Sequence, residues 1–133
     1  MKNTIVITGG AGFVGSNLVS LLLKKTNFKI VSIDNYSTGR KKNHIKNNRV
    51  KYIRGDTSQI SKILKNYKNK IKTIFHFGEF SRIYQSFIKM NKCINSNSIG
   101  SHAVFNFCLS NKIKLIYSAT SASIGNNGRD KNL

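Results

Sequence analysis

Acidic residues are scarce in this chain. There are four among 133, at Asp34, Asp56, Glu79 and Asp130, against 23 lysines and arginines, for a formal net charge of +19. A basic surplus of that size first suggests nucleic-acid binding. The lysines, however, are spread over most segments rather than gathered on one stripe. The sequence also has no proline and is crowded with Asn and Ile, as expected from a compositional bias towards Lys, Asn and Ile together. Non-specific attraction of anions is therefore expected, and specific nucleic-acid recognition is not. Clusters such as "GRKKNHIKNN" and "KNYKNKIK" are expected on surface loops or solvated helix faces.

Cysteine is nearly absent as well. Cys93 and Cys108 have no CxxC spacing and no His-rich partner set, which argues against a metal site. Two isolated cysteines read as small buried hydrophobes, with a disulfide the minor alternative. Long apolar runs are missing: "LVSLLL", from Leu18 to Leu23, falls far short of the roughly 18–20 residues that span a bilayer. The opening "MKNTIVITGG" ends its apolar stretch in glycines and has no small-residue cleavage site, so no secretory signal is expected. A cytoplasmic protein with no membrane partner is the expectation.

The few acids are informative in their placement. Asp34, Asp56 and Glu79 each follow an apolar, strand-like run: "KIVSID", "VKYIRGD" and "TIFHFGE". Short β-rich runs alternate with helical patterns along the chain. Strands are expected at 4–8, 29–33, 49–53, 72–77 and 113–118. Between them lie a helix carrying Leu18, Val19, Leu22 and Leu23, and a second with Ile60, Ile63, Leu64 and Tyr67 at helical spacing. A long helical region follows, containing Val104, Phe105, Cys108 and Leu109. This rhythm predicts an α/β fold, a doubly wound parallel sheet of about five strands in the order 3-2-1-4-5 with helices on both faces. No repeat, linker or second domain is visible.

The first strand runs into "TGGAGFVGSNL", which reads GxGxxG from Gly10 and TGxxGxxG from Thr8, with Gly9, Gly12 and Gly15 at the glycine positions. Glycines there permit a tight turn, let backbone amides approach a pyrophosphate and let the helix pack close to the strand. The helix N-terminus adds unpaired N–H groups and a positive dipole end. Asp34 follows at the end of the next strand, about 20 residues on. Its carboxylate can accept hydrogen bonds from both ribose hydroxyls and would repel a 2′-phosphate, which points to NAD over NADP. The competing reading is a structural glycine turn beside a solvated Asp.

On these residues the chain resembles the extended short-chain dehydrogenase/reductases, in particular the NAD-dependent sugar-nucleotide epimerases and dehydratases of the UDP-glucose 4-epimerase kind. The resemblance covers essentially the whole chain and implies a Rossmann-like, NAD-binding domain over residues 1–133, incomplete and without the C-terminal substrate domain. It implies that the loop of Gly9, Gly12, Phe13, Val14 and Gly15 holds the phosphates. "DNYSTGR" resembles the segment in which Asp34 and Asn35 hold the adenosine ribose and Ser37 lies near the phosphates. "RGDTSQI" would put Asp56, followed by Thr57, near the adenine amino group. In "IFHFGEFSRIYQSF", Phe77, Gly78 and Glu79 would line the cofactor behind the fourth strand, although Glu79 stands where the family has a small residue. His76 reads as a packed strand-end histidine, not a catalyst. "NSNSIGS" places Asn97 at the helical Asn that supports the catalytic water network. Asp56 has a plainer alternative, that of capping a loop.

"SATSASIG", from Ser118 to Gly125, resembles the family's segment after the fifth strand, with Thr120 on the Ser/Thr that hydrogen-bonds the reacting sugar hydroxyl. The family's base is the Tyr of a Tyr-x-x-x-Lys pair, its Lys lowering the Tyr pKa and holding the nicotinamide ribose. That pair is absent: Tyr36 is followed at this spacing by Arg40, Tyr117 by Ser121, and Tyr84 has Lys89 one residue too far. The expectation is a cofactor-binding portion that stops before its base and has little turnover, taking a nucleotide-sugar substrate if completed. Alternatives are a non-catalytic NAD-binding or interaction module, possible as a homo-oligomer, and a basic nucleic-acid binder.

Overall fold

The computed structural model describes residues 1–119. Five parallel strands, β1 (Thr4–Thr8), β2 (Lys29–Asp34), β3 (Val50–Arg54), β4 (Ile71–His76) and β5 (Lys114–Tyr117), form one sheet in the order β3-β2-β1-β4-β5. The expected strand order is borne out, with boundaries moved by a residue or two. β1 is buried along its whole length and β2 everywhere but Lys29, which is why both read as unbroken apolar runs: helices cover them on both faces.

Side-chain alternation splits the core in two. Ile5, Ile7 and Ile30 point to one face, where helix α1 (Phe13–Lys25) lays Val19, Leu18 and Leu22 on them. Val6, Val31, Ile33 and Ile74 point to the other face, where Ile60, Leu64, Val104, Phe107 and Cys108 complete a second cluster. Helix α2 (Ile60–Ile63) and helix α5 (Ser101–Ser110) supply that layer. Arg49 closes the far end of α1, its guanidinium donating to Thr26 O at 2.5 Å and Leu23 O at 2.6 Å. That satisfies carbonyls the helix leaves open.

Two helical expectations are modified. The Ile60, Ile63, Leu64, Tyr67 pattern does face the core, but α2 is one turn long. It is preceded by a 3-10 turn at Thr57–Gln59 and continues to Lys70 as hydrogen-bonded turns. Lys62, Lys65 and Lys68 would stack their charges at i, i+3 in a longer helix, and the intervening asparagines favour turns. The long helical region before β5 is present but not uniform: α3 (Ile83–Ile88) ends at Lys89, and α4 (Met90–Ile94) then runs through a wide π-helical turn over Asn95–Gly100 into α5 without leaving helical backbone. A Cβ on Gly100 would stand 2.2 Å from Thr57 Oγ1, so the wide turn is where this segment presses closest on the loop after β3. Among the described residues no helix is long and apolar enough to cross a membrane.

Candidate functional site

The chain moves from β1 to β2 and β3 on one side, then returns to place β4 on the other side of β1. The loops after β1 and β4 therefore diverge and leave a crevice at the carboxyl ends of the strands, the general position for ligands in open α/β sheets. The cleft measures about 1100 Å³ and is walled by the loops that follow all five strands.

The glycine loop forms its floor. Gly9 has φ +71°, and a Cβ there would lie 2.7 Å from Phe77 O, so the residue leaving β1 must be glycine to pass the end of β4. A Cβ on Gly15 would meet Gly9 O at 2.3 Å and Gly10 Cα at 2.7 Å, which is how closely α1 sits on the turn. Gly12 differs: an added Cβ would find only Gly9 O, at 3.2 Å, and would otherwise stand in open space on the cleft wall. The first turn of α1 carries no acidic residue and Gly12 offers no side-chain cap. Its free N–H groups and dipole end therefore face the cleft unneutralised beside Phe13 and Val14, which are 83% and 56% exposed.

Asp34 is almost buried at the end of β2 and is held by the turn it faces. Oδ2 accepts from Ala11 N at 2.9 Å and Oδ1 from Tyr36 N at 2.8 Å. A carboxylate has about four acceptor positions, and these two bonds use half of them. Tyr36 adopts φ 61°, an uncommon conformation for a side-chain-bearing residue. The strain is met by its hydroxyl, 3.0 Å from His44 Nε2, and by His44 stacking on Tyr52 at 3.8 Å. Burial, and then Asp34, push the Tyr36 hydroxyl pKa up. Next along the loop, Arg40 N and Asn43 Nδ2 both donate to Ala11 O, at 3.0 and 2.8 Å, pinning this segment to the glycine turn. Arg40 and Lys42 thereby come to line the cleft. Part of the "GRKK" cluster is thus a wall of the site and not merely solvated surface.

Asn35 and Ser37 line the same wall, with Ser37 N donating to Asn35 Oδ1 at 2.9 Å. Asp56 is not brought to the cleft. Its Oδ1 caps the 3-10 turn by accepting from Ser58 N and Ser58 Oγ, both at 3.3 Å, and its Oδ2 accepts from Asn35 Nδ2 at 3.4 Å. Its neighbours Gly55 and Thr57 do line the cleft. Phe77, Gly78, Glu79 and Asn97 close the β4 side. Asn97 spends its amide on the backbone of Phe80, accepting from Phe80 N at 2.6 Å and donating to Phe80 O at 2.9 Å. In that way the wide helical turn fixes the loop after β4.

Under this loop runs a chain of hydrogen bonds. Gly78 N donates to Thr8 Oγ1 at 3.1 Å, Thr8 Oγ1 lies 2.6 Å from His76 Nδ1, and His76 Nε2 lies 2.9 Å from Ser101 Oγ. Ser101 Oγ and Tyr117 Oη both donate to Glu79 Oε1, at 2.5 and 2.9 Å. One proton arrangement satisfies every member: neutral His76 accepts at Nδ1 and donates at Nε2. Burial lowers the His76 pKa, outweighing the opposite pull of Glu79. His76 is thus the packed strand-end residue expected. Tyr117 is pushed towards a higher pKa, first by its hydrogen bond to Glu79 and then by burial, the opposite direction from the one an activated base needs.

The structure therefore gathers every expected site residue onto one cleft except Asp56, which caps a turn, and Thr120, which lies outside the described residues; Ser118 is at the rim. Residues not anticipated on the cleft include Arg40, Lys42, Arg82 and Cys93. Among the described residues no group of three or more His, Cys, Asp or Glu side chains could hold a metal.

Comparison with known proteins sets this geometry in context. The family model described as "NAD dependent epimerase/dehydratase family" matches residues 5–132. A dTDP-D-glucose 4,6-dehydratase of Dictyostelium discoideum is 33% identical over an alignment 129 residues long that covers 91% of this chain and 30% of that protein. A solved UDP-N-acetylglucosamine 4-epimerase from Methanobrevibacter ruminantium M1, in complex with UDP-N-acetylmuramic acid, superposes with a TM-score of 0.81 at 30% identity. That match covers 100% of this chain and 43% of the solved one. The Bordetella bronchiseptica enzyme WbmH, solved with NAD+, gives a TM-score of 0.81 over 92% of this chain and 40% of its own, and at 20% identity it shows the fold alone. The chain spans about a third of the length of the relatives it matches.

Proposed function

The chain belongs to the NAD dependent epimerase/dehydratase family, and from that premise we propose that it is the NAD-binding portion of a sugar-nucleotide epimerase or dehydratase. One observation carries the reading: the unneutralised N-terminus of α1 and the oriented carboxylate of Asp34 open onto the same cleft. The cleft fits a dinucleotide. It has amides without acceptors for a pyrophosphate, the Asp34 carboxylate for a ribose, and room at Gly12 that a side chain would fill.

In this reading the first-turn amides of α1, with Gly9, Gly12, Phe13, Val14 and Gly15, hold the phosphates, helped by the positive charge of Arg40 and Lys42. Asp34 and Asn35 hold the adenosine ribose, Ser37 sits by the phosphates, and Thr57 lies towards the adenine with Asp56 behind it. Phe77, Gly78, Glu79 and Asn97 line the nicotinamide half, and Ser118 and Thr120 belong to the sugar side. Bound there, the nicotinamide would supply a reversible acceptor for the hydride on a sugar carbon whose hydroxyl gives up its proton to a base. The acid–base part needs a tyrosine of lowered pKa, and Tyr117 is shifted the opposite way. The 133 residues hold no Tyr-x-x-x-Lys pair. A nucleotide sugar as substrate is supported by the printed activities of the relatives.

Calorimetric titration with NAD and with NADP tests the reading. Saturable NAD binding, with NADP at least tenfold weaker because Asp34 repels the 2′-phosphate, is expected. No NAD binding, or a preference for NADP, would refute it.

A further inference from the structure

Glu79 lines the nicotinamide half of the cleft, but neither the fold nor the cofactor reading explains why that position carries a charge. A carboxylate in a chain with four acids, at the end of β4, is not needed to cap an element. It is nonetheless held firmly. Two neutral hydroxyls, Ser101 from α5 and Tyr117 from β5, converge on the single atom Oε1, at 2.5 and 2.9 Å. Ser101 is itself fixed by buried His76, and His76 by Thr8 of β1. Three strands and a helix thus combine to orient one side chain. The second oxygen, Oε2, forms no hydrogen bond among the described residues, and Glu79 lies on the cleft wall. Hydroxyl donors orient the carboxylate without cancelling its charge, as an ion pair would.

The place of this charge along the sheet matters. Asp34 ends β2 and Glu79 follows β4, two strand positions away, roughly 10 Å at the usual interstrand spacing. A dinucleotide whose adenosine ribose is taken by Asp34 and whose phosphates lie at the loop after β1 runs its other end towards β4 and β5. That end is the nicotinamide ring, which carries a positive charge when oxidised and none when reduced. A fixed carboxylate beside it favours the cationic form.

Resting on the NAD-binding reading above, we propose that Glu79 is a specificity-determining residue that makes the cleft select the oxidised, cationic nicotinamide dinucleotide over its reduced, neutral form. The selection is electrostatic and involves no covalent step. Ser101, Tyr117 and His76 are positioning residues for it, since they act only through the carboxylate they orient.

The test is a pair of titrations, NAD+ and NADH, on the whole chain and on Glu79→Gln. Gln keeps the shape and an oxygen that can accept from Ser101 and Tyr117, but removes the charge. Glu79→Ala provides a second neutral variant, and thermal melting shows that each is folded. The wild-type chain is expected to bind NAD+ about tenfold or more tighter than NADH, and both variants to bring that ratio close to one, chiefly by weakening NAD+. Two results would overturn the inference: a ratio unchanged by either variant, or an equal tightening of both forms, which would mean that Glu79 merely repels the shared pyrophosphate. Failure of the wild-type chain to bind either form overturns the NAD-binding reading itself, and this inference with it.

Discussion

Replacing Gly12 and Gly15 separately by Ala divides what the glycine turn does for folding from what it does for binding. Both lie at the start of α1, and helix propensity alone predicts that Gly15→Ala stabilises the helix by about 1 kcal/mol. The structure predicts the reverse. The new methyl would meet three backbone atoms, Gly9 O, Gly10 Cα and Gly9 C, at 2.3, 2.7 and 2.9 Å, and no flexible side chain could yield to it. Overpacking of this kind costs about 1–3 kcal/mol and more when backbone must move. We therefore expect a net loss of about 1–2 kcal/mol, or a fall in Tm of roughly 4–8 °C for a chain of this size. At Gly12 the backbone is ordinary, with φ −78° and ψ 178°, and the methyl meets only Gly9 O at 3.2 Å. Its folding cost is the poorer cap, about 0.5–1 kcal/mol. The methyl would instead stand where a phosphate approaches α1. Losing one charge-assisted hydrogen bond costs about 1.5–3 kcal/mol, a roughly 10- to 150-fold loss of NAD affinity. Thermal melts and calorimetric titration of both variants check this. A Gly15→Ala protein that melts above wild type, or a Gly12→Ala protein that binds NAD unchanged, would refute the reasoning.

Three further outcomes are expected. The Ser32 hydroxyl is buried in β2 without a hydrogen-bond partner, so Ser32→Ala should raise stability by about 1 kcal/mol in chemical denaturation; a clear loss would show that the hydroxyl is bonded after all. Because burial lowers the His76 pKa below the ordinary histidine value of about 6.5, protons bind the unfolded chain more readily. The stability His76 contributes is therefore present above that value and lost as pH falls below it. Tm should decline between pH 7 and 5, and less steeply in His76→Gln; parallel curves would contradict this. Finally, burial pushes the Cys108 thiol up to about 11, whereas Cys93 is half-buried on the cleft wall. Mass spectrometry after brief iodoacetamide treatment should find Cys93 modified and Cys108 spared, with NAD protecting Cys93.

What could be read in advance depended on how local the signal was. β1 and β2 are buried on both faces, so their apolar runs are unbroken, and the glycine spacing with Asp34 on the next strand carries its own geometry. The segmentation of α3, α4, the wide turn and α5 could not be read. It follows from Gly100 pressing on Thr57 and Asn97 clamping Phe80, contacts between residues 17 or more apart. Asp56 shows the limit of position alone: it follows a strand as Asp34 does, yet it turns to cap Ser58. Arg40 and Lys42 looked like surface charge because nothing in "GRKK" announces that Asn43 and Arg40 N will fasten it to Ala11. The anchoring of Glu79 needs β1, β4, β5 and α5 together and has no local signature at all.

The central claim is that the cleft over β1 and β4 is a dinucleotide site. Amide chemical-shift mapping of the isotopically labelled chain during titration with NAD tests it most directly. The account predicts saturable shifts concentrated at Gly9 to Gly15, at Asp34 to Ser37 and at Phe77 to Glu79. Shifts confined to the lysine-rich turns before β4 and to the exposed faces of α3 and α4, or none at all, would contradict it.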